Sequence, residues 1–237
     1  LDSLMDQAVE LIKKAENVYI CSHVQPDGDN IGSTLALYMA IEKIKENVNV
    51  IKVDEIPSDF FFLPNIQVYK EYTTAESVDL FISLDSSDIE RLGAGKELLK
   101  KANKVINIDH HATNDNFGDV NIVLPTASAT GEIVYKFIKH MGVEIDKDIA
   151  TCLYTAISMD TGRFMYSNTS YETHLIASEL LKVGIDLNSI NIHLYQNRSI
   201  ERTKLFLEAL YNMEFHLDGK IGRYRGDSIF HTGYWSC

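Results

Sequence analysis

Val18-Tyr19-Ile20-Cys21-Ser22-His23-Val24-Gln25-Pro26-Asp27-Gly28-Asp29-Asn30-Ile31-Gly32-Ser33 is the stretch that decides the fold. A short apolar run, Val18 to Cys21, ends in a Pro/Gly turn, and Ile31, Leu35, Met39 and Ile41 then recur at helical spacing. A strand that feeds a helix through a polar turn is the opening unit of an α/β sheet. Leu4, Ala8, Leu11, Ile12 and Ala15 place a helix before it. After it, Val48 to Val53, Val78 to Leu84 and Val105 to Ile108 read as further strands, and Leu92 to Ala102 is helical in pattern. Strands alternating with helices predict an α/β fold: a mainly parallel sheet flanked by helices, with central strands apolar on both faces.

From Ala127 the pattern turns helical, over Gly131 to His140, Asp148 to Ser158, Tyr171 to Val183 and Ile200 to Phe215. Residues 1–184 read as the first domain and 185–215 as a helical connector. Phe215 to Tyr224, around Asp218-Gly219, reads as a hairpin that opens a second domain. Arg225 to Cys237 is too short to complete a core, so 216–237 is expected to be a fragment of a second domain or an atypical tail.

The 237 residues are 45% hydrophobic and 24% charged, which excludes a disordered or collagen-like chain. With 22 Lys and Arg against 34 Asp and Glu the net charge is −12, which excludes a general polyanion-binding surface and hence long nucleic acid as a partner. Cys21, Cys152 and Cys237 form no CxxC pair, so neither a disulfide framework nor a zinc knuckle is indicated. Asp2, Asp6 and Glu10 interrupt the first helix, so it is no secretory signal, and no apolar run approaches the ~20 residues of a membrane span. The expectation is a soluble cytoplasmic protein with no membrane partner.

Four segments place acids or histidines where a strand or helix gives way to a loop: His23 with Asp27 and Asp29, then Asp85, then Asp109-His110-His111, and Asp160-Thr161-Gly162. In open α/β sheets ligands bind beyond the carboxyl ends of the strands. Taken singly, each residue has an ordinary reading. Asp27-Gly28 suits a turn, Asp29 or Ser33 a helix cap, and Asp85 a cap on Ser86-Ser87-Asp88. Jointly, acids and histidines at successive strand ends are hard to explain as caps. Mixed imidazole and carboxylate ligands suit a divalent transition metal better than calcium, and Mn²⁺ better than Mg²⁺. Six such side chains, one carboxylate bridging, can hold two cations roughly 3.5–4 Å apart, which lower the pKa of a water and neutralise phosphoryl charge. That suits hydrolysis of phosphate esters.

The order and spacing of these motifs resemble those of the DHH phosphoesterase superfamily, and are most similar to its nano-RNase branch. That branch degrades very short RNA and dephosphorylates 3′-phosphoadenosine 5′-phosphate. Asp85-Ser-Ser-Asp88-Ile-Glu-Arg91-Leu-Gly93, Ala127-Ser-Ala-Thr130-Gly131-Glu132 and Arg163-Phe-Met-Tyr-Ser-Asn168 extend the likeness, which runs over roughly residues 1–215. The resemblance implies that His23, Asp27 and Asp85 bind one metal, and that Asp29, Asp85, His110 and Asp160 bind a second, with Asp85 shared. It implies two Mn²⁺, with Mg²⁺ or Co²⁺ as substitutes, and a homodimer. Asp109 resembles the acid that orients the histidine pair. His111 resembles the residue that contacts the phosphate or leaving group, its plainer reading being a hydrogen-bonded histidine beside the site. The substrates implied are short oligonucleotides or nucleotide bisphosphates. The branch's Gly-rich, His-containing motif in a second domain has no counterpart after Gly222.

Arg163, three residues past Asp160, either reaches a phosphate bidentately or pairs with a surface acid. Ser128 and Thr130 read better as caps of the next helix than as ligand contacts, and Asn168 reads as contacting either a nucleotide or the backbone. Tyr38, Tyr135, Tyr154 and Tyr195 read as core. Gly93-Ala-Gly95-Lys96 lacks the spacer and the hydroxyl residue of a P-loop. Inorganic pyrophosphate or a cyclic dinucleotide are alternative substrates. An idle metal-binding module is the reading outside enzymes.

Overall fold

A computed structural model describes residues 1–71, 77–216, 218 and 221–224. The chain divides into two compact units, Leu1–Leu194 and Tyr195–Cys237. The first contains α1 (Asp2–Lys14), β1 (Val18–Ser22), α2 (Gly28–Glu42), β2 (Val48–Ile51), β3 (Tyr69–Lys70), β4 (Val78–Leu84), α3 (Lys96–Leu99), β5 (Ala102–Asp109), β6 (Val120–Val123), α4 (Thr130–His140), α5 (Lys147–Asp160), α6 (Tyr171–Lys182) and α7 (Leu187–Asn191). The second contains α8 (Ile200–Tyr211) and the antiparallel pair β7 (Met213–His216) and β8 (Ile221–Tyr224). Gly219 in the expected hairpin turn, and the tail from Arg225, lie outside the described residues.

Six strands pair in the order β3-β2-β1-β4-β5-β6, every neighbour parallel, as the alternating pattern predicts. The chain builds outward from β1 to β3, then returns to the far side of β1 with β4. That reversal is the switch point at which such sheets open a crevice. Ser22 pairs with Leu84, so His23 and Asp85 leave the sheet side by side, and Leu84 pairs with Ile108, so Asp109 follows on the next strand.

Both faces of the sheet are covered. Ile20, Leu80, Ile82, Leu84, Ile106 and Ile108 pack on α1, α2, α4 and α5, while Cys21, Phe81 and Val105 meet Leu92 and Leu98 on the other side. Every residue from Gly28 to Ile41 is buried, so α2 is enclosed on all sides, as a helix of uniformly apolar or small residues must be. It presses on α5 so closely that a Cβ on Gly32 would collide with the Cys152 carbonyl oxygen and Ala156. Tyr38, Tyr135 and Tyr154 are core residues, as expected, whereas Tyr195 is only half-buried. Among the described residues, no helix is long and apolar enough to cross a membrane.

The structure departs from the sequence reading in several places. The stretch from Leu92 to Ala102 is a 3-10 turn, Glu90–Gly95, followed by the single turn α3, and Ala102 already belongs to β5. Gly93 causes the break: it sits at φ 52°, ψ −127°, where a side chain would strike Val24. The helix begun at Ile200 stops at Tyr211 and Met213 starts a strand. Strands β3 and β6 were not anticipated. Both lie on the sheet's edges and are short, and β6 alternates buried with half-buried residues rather than forming an apolar run.

Candidate metal centre

His23 and Asp27 come from the β1–α2 turn, Asp29 from the first turn of α2, and Asp85 from the end of β4. His110 and His111 follow β5, and Asp160 is the last residue of α5 rather than a loop residue beyond it. All converge at the switch point. His23 Nε2 lies 3.3 Å from Asp85 Oδ2 and 3.8 Å from Asp27 Oδ2. His110 Nε2 lies 3.5 Å from Asp160 Oδ2, 3.7 Å from Asp85 Oδ1 and 3.9 Å from Asp29 Oδ2. Three groups could each hold an ion, with ligand atoms within 4.8 Å of one another: His23, Asp27 and Asp85; Asp29, His110 and Asp160; and Asp85, His110 and His111.

The surroundings aim these ligands. Asp27 Oδ1 caps α2 by accepting the Asp29 and Asn30 N–H groups at 3.1 Å, while its other oxygen faces His23. The capping role and the ligand role therefore belong to one side chain. His23 Nδ1 is bonded to the Val24 carbonyl at 2.6 Å and His110 Nδ1 to the Ala127 carbonyl at 3.3 Å, which leaves both Nε2 atoms for the cluster. Asp85 sits at φ 55°, its N–H donating to the Ile108 carbonyl, a left-handed conformation that costs free energy and is concentrated at functional sites.

Neither Ser128 nor Thr130 caps α4, contrary to the expectation. Ser128 donates to Glu132, and Thr130 Oγ1 donates to Asp85 Oδ1 at 2.8 Å. The cap comes from another helix: both oxygens of Asp29 accept N–H groups of Thr130 and Gly131, and Ser33 Oγ donates to Asp29 as well. Asp109 is fully buried. Its Oδ1 accepts His111 Nδ1 at 2.7 Å and the His110 N–H at 2.8 Å, and its Oδ2 accepts Asn114 Nδ2. Asn114 also donates to the Ser86 carbonyl and accepts from Asn107, so it ties the Asp85 loop to the acid beneath His111. Only its place three residues after His111 could have signalled it.

Arg163 is exposed and lies between Gly162 and Phe164 in three successive left-handed residues, with its N–H donating to the Ser158 carbonyl. Asn168 acts on backbone, donating to the carbonyls of Ser128 and Asp160, and so joins the entry to α4 to the end of α5. Cys21 and Cys152 are buried and free, and burial pushes both thiols up, away from nucleophilic use.

The electrostatics are those of a cation site. Burial, together with the charges of Asp85 and Asp160, holds Asp29 well above the usual carboxylate range. Burial and the Asp85 charge also raise Asp27. Burial and the same like charges push Asp160 up to about 6, against the opposing pull of His110. Burial would raise Asp85 too, but the His23 hydrogen bond and the charges of His23, His110 and His111 bring it down to about 2. Burial opposes the charged form of His23, yet Asp85 and Asp27 raise its pKa, and the Asp109 hydrogen bond raises that of His111. Acids forced together in a buried crevice, with imidazoles aimed between them, fit divalent cations by donor type and by charge.

A model of the DHH family, N-terminal domain, matches residues 17–157, more than half of the chain. The chain is 36% identical over 222 residues to a Thermus thermophilus protein named bifunctional oligoribonuclease and PAP phosphatase NrnA, covering 92% of this chain and 65% of the relative. It is 31% identical to a solved exopolyphosphatase-related protein of Bacteroides fragilis, with a TM-score of 0.85 over 91% of this chain and 67% of that one. A putative family II inorganic pyrophosphatase of Methanococcus jannaschii, at 22% identity and TM-score 0.55 over 71% and 57% of the two chains, shares the fold. The chain spans between 56% and 67% of the length of such curated relatives. With His23, Asp27, Asp29, Asp85 and His110 all inside the matched span, the chain belongs to the DHH family.

Proposed function

We propose that this chain is a metal-dependent phosphoesterase that hydrolyses short oligonucleotides to 5′-mononucleotides and removes the 3′-phosphate of 3′-phosphoadenosine 5′-phosphate. The observation that carries the reading is the convergence of six histidine and aspartate side chains into ligand groups linked through Asp85 and His110. The name of the Thermus thermophilus relative supports the substrate class.

In this reading His23, Asp27 and Asp85 hold one Mn²⁺, and Asp29, Asp85, His110 and Asp160 hold a second. Mn²⁺ is favoured because imidazole and carboxylate donors are mixed in one set. When bound, such a pair acidifies water and neutralises charge on a phosphoryl oxygen. The chain's own residues supply the rest. Thr130 Oγ1 and the two backbone N–H groups at the start of α4 hold Asp85 and Asp29 in place. Asp109 keeps the proton of His111 on Nδ1 and favours the charged imidazole, which leaves Nε2 to protonate the departing oxygen. Residues 1–184 carry this centre as the catalytic domain. The net charge of −12 favours substrates with few phosphates.

The test is hydrolysis of a 5′-labelled RNA dinucleotide, of 3′-phosphoadenosine 5′-phosphate and of pyrophosphate, with Mn²⁺ and with chelator, using Asp85→Ala as the blank. Metal-dependent release of mononucleotide, lost in the variant, is the expected result. Turnover of pyrophosphate alone would move the chain to a different phosphoryl substrate. Stoichiometric Mn²⁺ uptake with no turnover would leave a metal-binding module.

A further inference from the structure

Residues 1–194 contain two arginines, Arg163 and Arg91. Arg91 lies six residues past Asp85, in the 3-10 turn Glu90–Gly95. Its backbone is pinned on both sides: Asp88 Oδ1 accepts its N–H at 3.0 Å, and its carbonyl accepts the Val24 N–H at 2.8 Å. Val24 follows His23 directly, so this hydrogen bond ties Arg91 to the turn that carries two of the candidate ligands. Its positive charge is felt at His111, where it opposes protonation of the imidazole.

Arg91 is partly buried, yet among the described residues no carboxylate lies within 4.0 Å of its guanidinium and no protein acceptor engages it. Several lysines of the same unit are neutralised, Lys43, Lys52, Lys96, Lys100 and Lys104 each pairing with a carboxylate, whereas Lys70, Lys147 and Lys182, like Arg91, show no such pair among the described residues. What sets Arg91 apart from those lysines is its backbone tie to the turn that carries His23 and Asp27. Its guanidinium nitrogens are not among the buried unpartnered polar atoms, so the five donors reach solvent and stand open to a ligand. Their planar fork matches an oxyanion, and a phosphate in particular. The acids of the centre repel a phosphate until cations neutralise them, and a guanidinium on a segment tied to the site turn adds a fixed positive charge that the ligand residues do not supply.

We propose that Arg91 binds the phosphoryl group on which the metal centre acts, contacting its non-bridging oxygens beside His111. This rests on the phosphoesterase reading above and gives a substrate-contacting role to a residue that the sequence motif contains without assigning it one.

The test titrates inorganic phosphate, and separately 3′-phosphoadenosine 5′-phosphate, into the Mn²⁺-loaded protein by calorimetry. Wild type, Arg91→Gln and Arg91→Lys are compared after the Mn²⁺ affinity of each has been measured. Mn²⁺ affinity is expected to match wild type in both variants, because Arg91 supplies no ligand atom. Phosphate affinity should fall at least about tenfold in Arg91→Gln, and Arg91→Lys should recover only part of it, keeping the charge without the fork. Unchanged phosphate affinity in Arg91→Gln with normal Mn²⁺ uptake overturns the proposal. So does wild-type protein that takes up no phosphate, and so does a loss confined to the bisphosphate, which would put Arg91 on a remote phosphate. Failure of the phosphoesterase reading looks different: wild type would bind Mn²⁺ and phosphate but release no product, and the Arg91 comparison would still be read from the phosphate titration.

Discussion

Asp29 and Thr130, 101 residues apart in sequence, meet where the Thr130 N–H donates to Asp29 Oδ2 at 2.6 Å. The first turn of α4 is thus capped by a candidate metal ligand that belongs to α2. Packing of the two helices and assembly of the site are one event, because the groups that orient the carboxylate are the helix's own free N–H groups. Thr130 extends the arrangement to Asp85 through its hydroxyl. One residue therefore steadies acids from two separate segments.

Asp160 shows what this gathering costs before a cation arrives. Its carboxyl is pushed up to about 6 by burial and by the charges of Asp85 and Asp27. A folded-state pKa above the unfolded value means the charged form is penalised in the fold. The penalty is present in full above pH 6, fades as pH falls towards 4 and is absent below it. Metal-free Asp160→Asn should therefore unfold at a higher temperature than wild type at pH 7, with the gap closing by pH 4, and should lose part of its stabilisation by Mn²⁺. Thermal unfolding of both proteins at the two pH values decides it. A metal-free variant less stable than wild type at pH 7 would sink the idea.

Asn114 touches no candidate ligand, yet it supports Asp109 from beneath and holds the Ser86 carbonyl next to Asp85. In Asn114→Leu the buried Asp109 Oδ2 loses its donor, and the hold on His111 loosens. Turnover should fall about 10- to 100-fold, the usual effect of removing a group that orients an active-site histidine. Mn²⁺ affinity, read by calorimetry, should change far less, because none of the ligands is removed. Equal losses of turnover and Mn²⁺ affinity would contradict this role.

At Gly32 the backbone of α2 lies tight against α5, and these helices carry Asp29 and Asp160. In Gly32→Ala the new methyl meets the Cys152 carbonyl and Ala156, and the helices must separate. Overpacking of this kind destabilises by roughly 1–3 kcal/mol. Chemical denaturation should show that loss, accompanied by weaker Mn²⁺ binding because two ligands have moved apart. A stable variant with unaltered Mn²⁺ affinity would mean that the two helices do not set the site.

Much of this was legible in the sequence because chemistry and topology coincide at the strand ends. The run from Val78 to Leu84 is a buried central strand, so its apolar residues announce both the strand and the acid that follows it. The β1 turn was legible for the same reason, although Asp27 proved to be the helix cap and a candidate ligand at once. Edge strands β3 and β6 were not legible, since their residues are only partly buried and carry no continuous apolar signal. Thr130 was assigned as a cap because its local spacing suits one. Its actual partners, Asp29 and Asp85, are distant in sequence, and no local rule reports such contacts. Arg91 and Asn114 share that blindness, for what matters in each is a tertiary neighbour.

Asp85 belongs to two of the three ligand groups, whereas Asp27 belongs to one. Metal that binds the folded chain alone raises its stability, by about 2.7 kcal/mol at a hundred times the dissociation constant. Wild-type protein should therefore melt several degrees higher with Mn²⁺ than with chelator. In Asp85→Asn, which keeps the volume and an oxygen for Thr130, that rise should vanish, because in the proposed centre both ions share Asp85 and neither keeps its full ligand set. In Asp27→Asn part of the rise should remain, since the proposed ligands of the second ion, Asp29, Asp85, His110 and Asp160, are all retained. If Asp85→Asn kept the full rise while Asp27→Asn lost it, the two ions would not share Asp85, and the centre would have to be redrawn around an ion that depends on Asp27 instead.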